Sequence, residues 1–142
     1  MSNQTMVRAT HRDADVAIPE QHLRSAAIIG LLGIALIHFL DVVGKFTETP
    51  YITALYLALI GACFVASGLI IGRTPRRGWL LAAAASGATF VAFVLSRTTG
   101  LPAAMGDIGN WSEPLGLASL FVEGSVVLMS VVALKSRGGR TR

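Results

Sequence analysis

The chain has 142 residues, 53% hydrophobic and only 14% charged, with a mean hydropathy of +0.63, whereas a soluble domain carries about 25% charged residues; the length allows one domain. Its one cysteine, Cys63, excludes an intrachain disulfide and a multi-cysteine zinc site. The net charge of +4 comes with no nucleic-acid-binding motif and no aromatic series among the basic residues, which excludes nucleic acid as a partner.

Residues 1–24 are polar and mixed in charge and read as a cytoplasmic tail. They make too long a lead for a secretory signal, and no A-x-A site follows the apolar run behind them. That run, 25–44, is long enough to span a hydrocarbon core of about 20 residues. His38 and Asp41 interrupt it near its end, and Lys45 closes it. Thr49 and Pro50 open the second run, 51–72, as N-cap and first helical residue. Ala58, Ala62 and Ala66 recur in it every fourth residue, a spacing that lets a second helix approach closely. The linker 73–77 is RTPRR. The third run, 78–95, repeats the small stripe with Ala84, Ala88 and Ala92, so Ala62 and Ala66 are expected to meet Ala84 and Ala88.

A glycine- and proline-punctuated loop, 96–112, precedes the fourth run, 112–134. Ser112 is expected to cap that helix, with Pro114 in its first turn. The basic tail 135–142 follows. The fold class is therefore all-α: an antiparallel four-helix transmembrane bundle, its membrane domain running from 25 to 134.

Four spans place both termini on one side. Arg8, Arg12, Arg24, Arg73, Arg76, Arg77, Lys135, Arg137, Arg140 and Arg142 fall on that side, and only Lys45 and Arg97 on the other. The positive-inside rule makes the terminal side cytoplasmic, in a multi-pass protein of the cytoplasmic membrane. The basic excess then faces anionic lipid headgroups. Trp79 and Trp111 fall near the inner and outer edges, as an aromatic belt requires.

The charges that topology leaves unexplained lie toward the outer side. His38, Asp41 and Lys45, spaced i, i+3, i+7, share one face of the first helix, and Asp41 stands in the favourable order for an ion pair with Lys45. Glu113, Gly116, Leu120 and Glu123 share a face of the fourth. Glu123 lies about 16 Å below Ser112, too deep to reach water along its own helix. Intramembrane ionisable groups face the bundle interior and pair with one another, so Glu123 is expected to meet His38, Arg97 or both. The candidate ligand- or proton-binding residues are His38, Asp41, Arg97 and Glu123, with Lys45 and Glu113 at the rim.

Each has a plain structural alternative. His38 can bond a neighbouring carbonyl, Asp41 and Lys45 can form a boundary salt bridge, Arg97 can snorkel to headgroups, and Cys63 can be a small packing residue. His38, Asp41 and Glu123 supply three ligand types that suit zinc, manganese or iron, without an HExxH pattern or paired histidines. A haem held by two histidines has only His38 within a span, so the residues specify no cofactor. A nucleophilic triad and a phosphate-binding glycine loop are not supported.

The segment S-R-T-T-G-L-P from Ser96 to Pro102, then E-P-L-G from Glu113 to Gly116, then Glu123, resembles a pattern in small bacterial four-helix integral membrane proteins. Such proteins tend to pair a His-rich or acidic first helix with this loop. The likeness implies the topology and the position of the site, and no reaction. The insert AAMGDIGNW is longer than the loops of that pattern, which leaves Asp107 outside it. Two functional readings follow. One is an accessory or binding subunit whose outer polar pocket takes a small ligand, a metal ion, a membrane-protein partner or a second copy of the chain. The other is a proton- or ion-conducting element, or a membrane enzyme, in which His38 and Glu123 titrate. The four short spans show no inverted repeat of the kind that builds a standalone transporter, which favours the first.

Overall fold

The computed structural model describes residues 19–138. The first 18 residues of the expected tail, and Arg140 and Arg142, lie outside the described residues. Four α-helices follow one another: α1 (Glu20–Glu48), α2 (Pro50–Ile71), α3 (Pro75–Thr98) and α4 (Pro114–Gly138), with a 3-10 turn at Met105–Asp107. All four are long and apolar enough to cross a membrane, so this is a multi-pass membrane protein, all-α as its sequence pattern requires.

Each helix overruns its apolar run, by up to five residues at an end, because the run marks the part that needs hydrocarbon. Helical hydrogen bonding continues into the polar flanks for as long as the backbone allows. Proline sets three of the starts: Pro50, Pro75 and Pro114 each occupy the first helical residue, where a missing N–H costs nothing. Thr49 holds the cap position of α2, but its hydroxyl makes no capping bond. Ser112 is not the cap of α4: the first turn closes on the Glu113 carbonyl, which accepts from the Leu117 N–H at 3.0 Å.

The helices pack in a ring, α1 on α2, α2 on α3, α3 on α4 and α4 on α1. Contacts at both ends of the bundle confirm the antiparallel order. At the terminal end the Arg24 guanidinium donates to the Ile70 carbonyl at 3.3 Å, and Arg137 pairs with Glu20. At the loop end the Tyr51 hydroxyl donates to the Pro102 carbonyl at 2.5 Å. Leu31, Ile34, Cys63, Ala66, Ile70, Trp79, Ala82 and Val126 have no exposed surface and form the core.

The small-residue contact between α2 and α3 differs from the expected one. Ala66 is buried, but Ala84 and Ala88 are exposed on the outside of the bundle. The approach is made instead by Gly78. A Cβ there would lie 2.7 Å from the Ile70 nitrogen and 3.0 Å from the Ala66 carbonyl oxygen. The buried face of α3 is Gly78, Ala82 and Ser86, two residues around the helix from the alanine stripe. In lipid an alanine stripe on the outer face carries no penalty, so spacing by itself does not say which stripe packs.

Candidate functional site

The site is a column of polar side chains that runs from the loop end to the middle of the bundle. Its lower end is Glu123, which is 0% exposed. At 1.5 Å per residue Glu123 lies about 14 Å from the start of α4, and His38 about 15 Å from the end of α1. The two face each other across the bundle, His38 Nε2 to Glu123 Oε1, at 3.8 Å. Ser119, one turn before Glu123, donates to the same carboxylate oxygen at 2.7 Å. Glu123 Oε2 is buried with no hydrogen-bond partner.

His38 is held on two sides. Its Nδ1 is 2.9 Å from the Ile34 carbonyl, and the edge of its ring meets Tyr56 at a centroid distance of 4.7 Å. A carbonyl only accepts, so the first contact is a hydrogen bond only with the proton on Nδ1. A neutral ring then turns the Nε2 lone pair toward Glu123. A lone pair and a carboxylate facing one another in apolar surroundings repel unless a proton lies on one of them. A proton on either group would remove that repulsion, giving imidazolium and carboxylate or imidazole and carboxylic acid.

Above it, Tyr56 donates to Asp41 Oδ2 at 2.9 Å. Asp41 does not pair with Lys45, as the helical spacing predicts. Lys45 Nζ turns to Glu48 at 3.4 Å, both on the last turn of α1, where water is accessible. The phenol on α2 reaches the half-buried Asp41 first.

Arg97 closes the column. It is only 5% exposed and does not snorkel outward. It pairs with Glu113, and its Nη1 lies 3.1 Å from Asp107 Oδ1, in ion-pair range but off hydrogen-bond geometry. The guanidinium sits over the Phe93 ring, 4.7 Å from its centroid, and Phe93 in turn meets Trp111 edge-on. Gly116 makes room for this stack: a Cβ there would lie 2.5 Å from the Phe93 ring and 3.4 Å from Arg97 Nη2. The Gly109 N–H donates to the Arg97 carbonyl at 2.9 Å, so the loop is tied to the same residue by backbone and side chain. Arg97 does not meet Glu123, because two nearer carboxylates hold it at the mouth.

Between mouth and floor lies a cavity of about 60 Å³ lined by His38, Asp41, Tyr56, Arg97, Glu113 and Ser119 among others. One water needs about 10–15 Å³ by this measure, so it holds a few waters and no organic molecule of ordinary size. Glu123 does not line it and is reached through His38 and Ser119. A larger groove, about 480 Å³, lies between α3 and α4. It is apolar and its Phe121 and Leu128 are exposed, so it belongs to the lipid-facing surface.

The structure thus brings together His38 and Glu123, seats Asp41, Arg97 and Glu113 above them, and leaves Lys45 at the edge. Among the described residues no group of three or more His, Cys, Asp or Glu is placed to hold a metal, so His38, Asp41 and Glu123 do not form the metal site their chemistry permits. Tyr56, Ser119 and Asp107 were not among the expected residues. Ser119 carried a signal, standing i−4 to Glu123, but the face drawn through Glu113, Gly116, Leu120 and Glu123 passes beside it. The buried face of α4 is Ser119, Glu123, Val126, Ser130 and Ala133. Comparison of the chain with protein-family models, curated proteins and solved structures finds no match in any of the three.

Proposed function

We propose that this is a proton-binding accessory protein of the cytoplasmic membrane, in which the His38–Glu123 pair takes up one proton through the polar cavity at the loop end. The geometry of His38 carries the reading. With Nδ1–H committed to the Ile34 carbonyl, Nε2 faces the carboxylate of Glu123 at 3.8 Å, and a proton on either group relieves the repulsion between them. The size of the cavity favours a proton over an organic ligand, and the lack of a ligand group among the described residues favours it over a metal ion. Asp41, Glu113 and Asp107, against the single charge of Arg97, leave the mouth with an excess of negative charge that draws cations toward it. The terminal end bears Arg24, Arg73, Arg76, Arg77, Lys135 and Arg137, which supports a cytoplasmic orientation for that end and an outward-facing mouth. The likeness of the S-R-T-T-G-L-P segment to small bacterial four-helix membrane proteins agrees with this placement.

Infrared spectroscopy of the full chain in lipid tests the reading. A protonated carboxyl band that shifts in D₂O, titrates with pH, disappears in Glu123→Gln and changes its midpoint in His38→Gln is expected. A titration identical in wild type and Glu123→Gln would refute it.

A further inference from the structure

We infer that the column continues past Glu123 as a path of hydroxyls and water to the terminal end, so that the protein carries protons across the membrane as well as binding them. The inference rests on the proton-binding reading of His38 and Glu123.

Between Glu123 and the terminal end, three polar side chains are fully buried: Ser86 and Trp79 of α3, and Ser130 of α4. Ser86 Oγ, Ser130 Oγ, Trp79 Nε1 and Glu123 Oε2 have no hydrogen-bond partner. A serine or threonine within a helix has a remedy at hand, the carbonyl one turn back. Ser67, Thr89, Thr98 and Ser125 use it, with bonds of 2.8 to 2.9 Å. Ser86 and Ser130 do not. A buried hydroxyl that forgoes this bond needs another partner, because leaving it unpaired is costly. Inside a helical bundle the partner open to it is water.

The spacing fits such a chain. Measured from the loop end at 1.5 Å per residue, Glu123 lies at about 14 Å, Ser86 at about 18 Å, Ser130 at about 24 Å and Trp79 at about 28 Å. The groups alternate in depth between α4 and α3, which pack on each other. Waters hydrogen-bonded at about 2.8 Å would carry the path from one group to the next. Leu31 and Ile34 of α1 and Val126 of α4 wall this half, so the path suits a proton, which moves by exchange of bonds, and not a hydrated ion.

The groups that face Glu123 decide its proton traffic. His38 faces it from α1. Cys63 of α2 lies within its electrostatic reach. On α3, Ser86 is the nearest of the unpartnered polar groups by depth, and Arg97 is held at the mouth. A proton entering from the cavity passes from His38 Nε2 to the Glu123 carboxylate. Rotation of the carboxyl turns that O–H to the far side, where it passes to the water held by Ser86 and leaves the carboxylate ready for the next proton. Each hydroxyl accepts one proton and passes on its own, so one enters for each that leaves. The Trp79 indole only donates and cannot relay; it orients the last water. Net transfer is one positive charge, balanced by a counter-ion.

The test uses the full chain in liposomes loaded with a pH-sensitive dye, with a potassium gradient and valinomycin as counter-ion path. Proton entry above that of empty liposomes is expected. Ser86→Ala and Ser130→Ala should each lower it about tenfold, the scale of one lost hydrogen-bonding group in a barrier, while their Glu123 carboxyl band still titrates. Ser125→Ala, whose hydroxyl is already bonded to the Phe121 carbonyl, should leave the flux unchanged. A wild-type flux equal to that of empty liposomes, with the carboxyl titration intact, would overturn the inference and leave proton binding standing. A flux that survives the Ser86 and Ser130 substitutions together would overturn the route. A carboxyl band that never titrates would remove both readings.

Discussion

Gly78 is the point at which α2 and α3 come closest, and replacing it with alanine measures how much of the bundle's stability rests on that approach. The added Cβ would lie 2.7 Å from the Ile70 nitrogen, 2.8 Å from Ile70 Cγ1 and 3.0 Å from the Ala66 carbonyl oxygen. Two of these are backbone atoms of α2, which cannot rotate away. Ordinary contact requires the helices to part by roughly 0.5–1 Å, and overpacking of this kind costs about 1–3 kcal/mol. Alanine regains up to about 1 kcal/mol of helix propensity. The net loss expected for Gly78→Ala is therefore up to about 2 kcal/mol even after the full propensity gain. The assay is reversible unfolding by SDS in mixed micelles. It is followed by the fluorescence of Trp79, which adjoins the substitution and is fully buried, in a Trp111→Phe background so that Trp79 is the only tryptophan. Ala88→Leu is the matched control: Ala88 is exposed, so its enlargement should fall within about 0.5 kcal/mol of wild type. If Gly78→Ala unfolds at the wild-type midpoint while Ala88→Leu falls, the alanine stripe packs the bundle and the arrangement of α2 on α3 described above is wrong.

Arg97→Gln should release the loop 99–113, which Arg97 ties through Glu113 and Asp107. Since both carboxylates are more than a third exposed at the side chain or close to it, the stability loss should be about 1 kcal/mol, with faster amide exchange across the loop; unchanged exchange would contradict the clasp. Tyr56→Phe removes the bond to Asp41 and should lower stability by about 1.5–3 kcal/mol in the same SDS assay, the range for a hydrogen bond to a charged group. Single cysteines in a Cys63→Ala background test the orientation: Thr74→Cys should resist a membrane-impermeant thiol reagent in intact cells and Ala104→Cys should react, and the reverse pattern would invert the topology.

The four spans were legible in the sequence because hydrocarbon imposes its demand residue by residue. A run of about 20 apolar residues satisfies it whatever the neighbours are, and Pro50, Pro75 and Pro114 mark helix starts by a local property of their own. Glu123 was legible for the same reason: a carboxyl that deep in an apolar run has nowhere to go but inward. Depth on the neighbouring helices left two partners open, His38 and Arg97, and the packed bundle sets His38 opposite Glu123.

What the sequence left undecided were the quantities that depend on rotation and on neighbours. Every face of these helices is apolar enough for lipid, so periodicity carries little information on which stripe turns inward. Gly78 and Ser86, not Ala84 and Ala88, therefore form the buried face of α3, and Ser119, not Leu120, stands beside Glu123. The ion pairs were decided by competition between partners from distant segments. Tyr56 took Asp41 from Lys45, and Glu113 and Asp107 kept Arg97 away from Glu123. Such choices follow from which side chain the packed helices bring nearest, and that distance exists only once the bundle has formed.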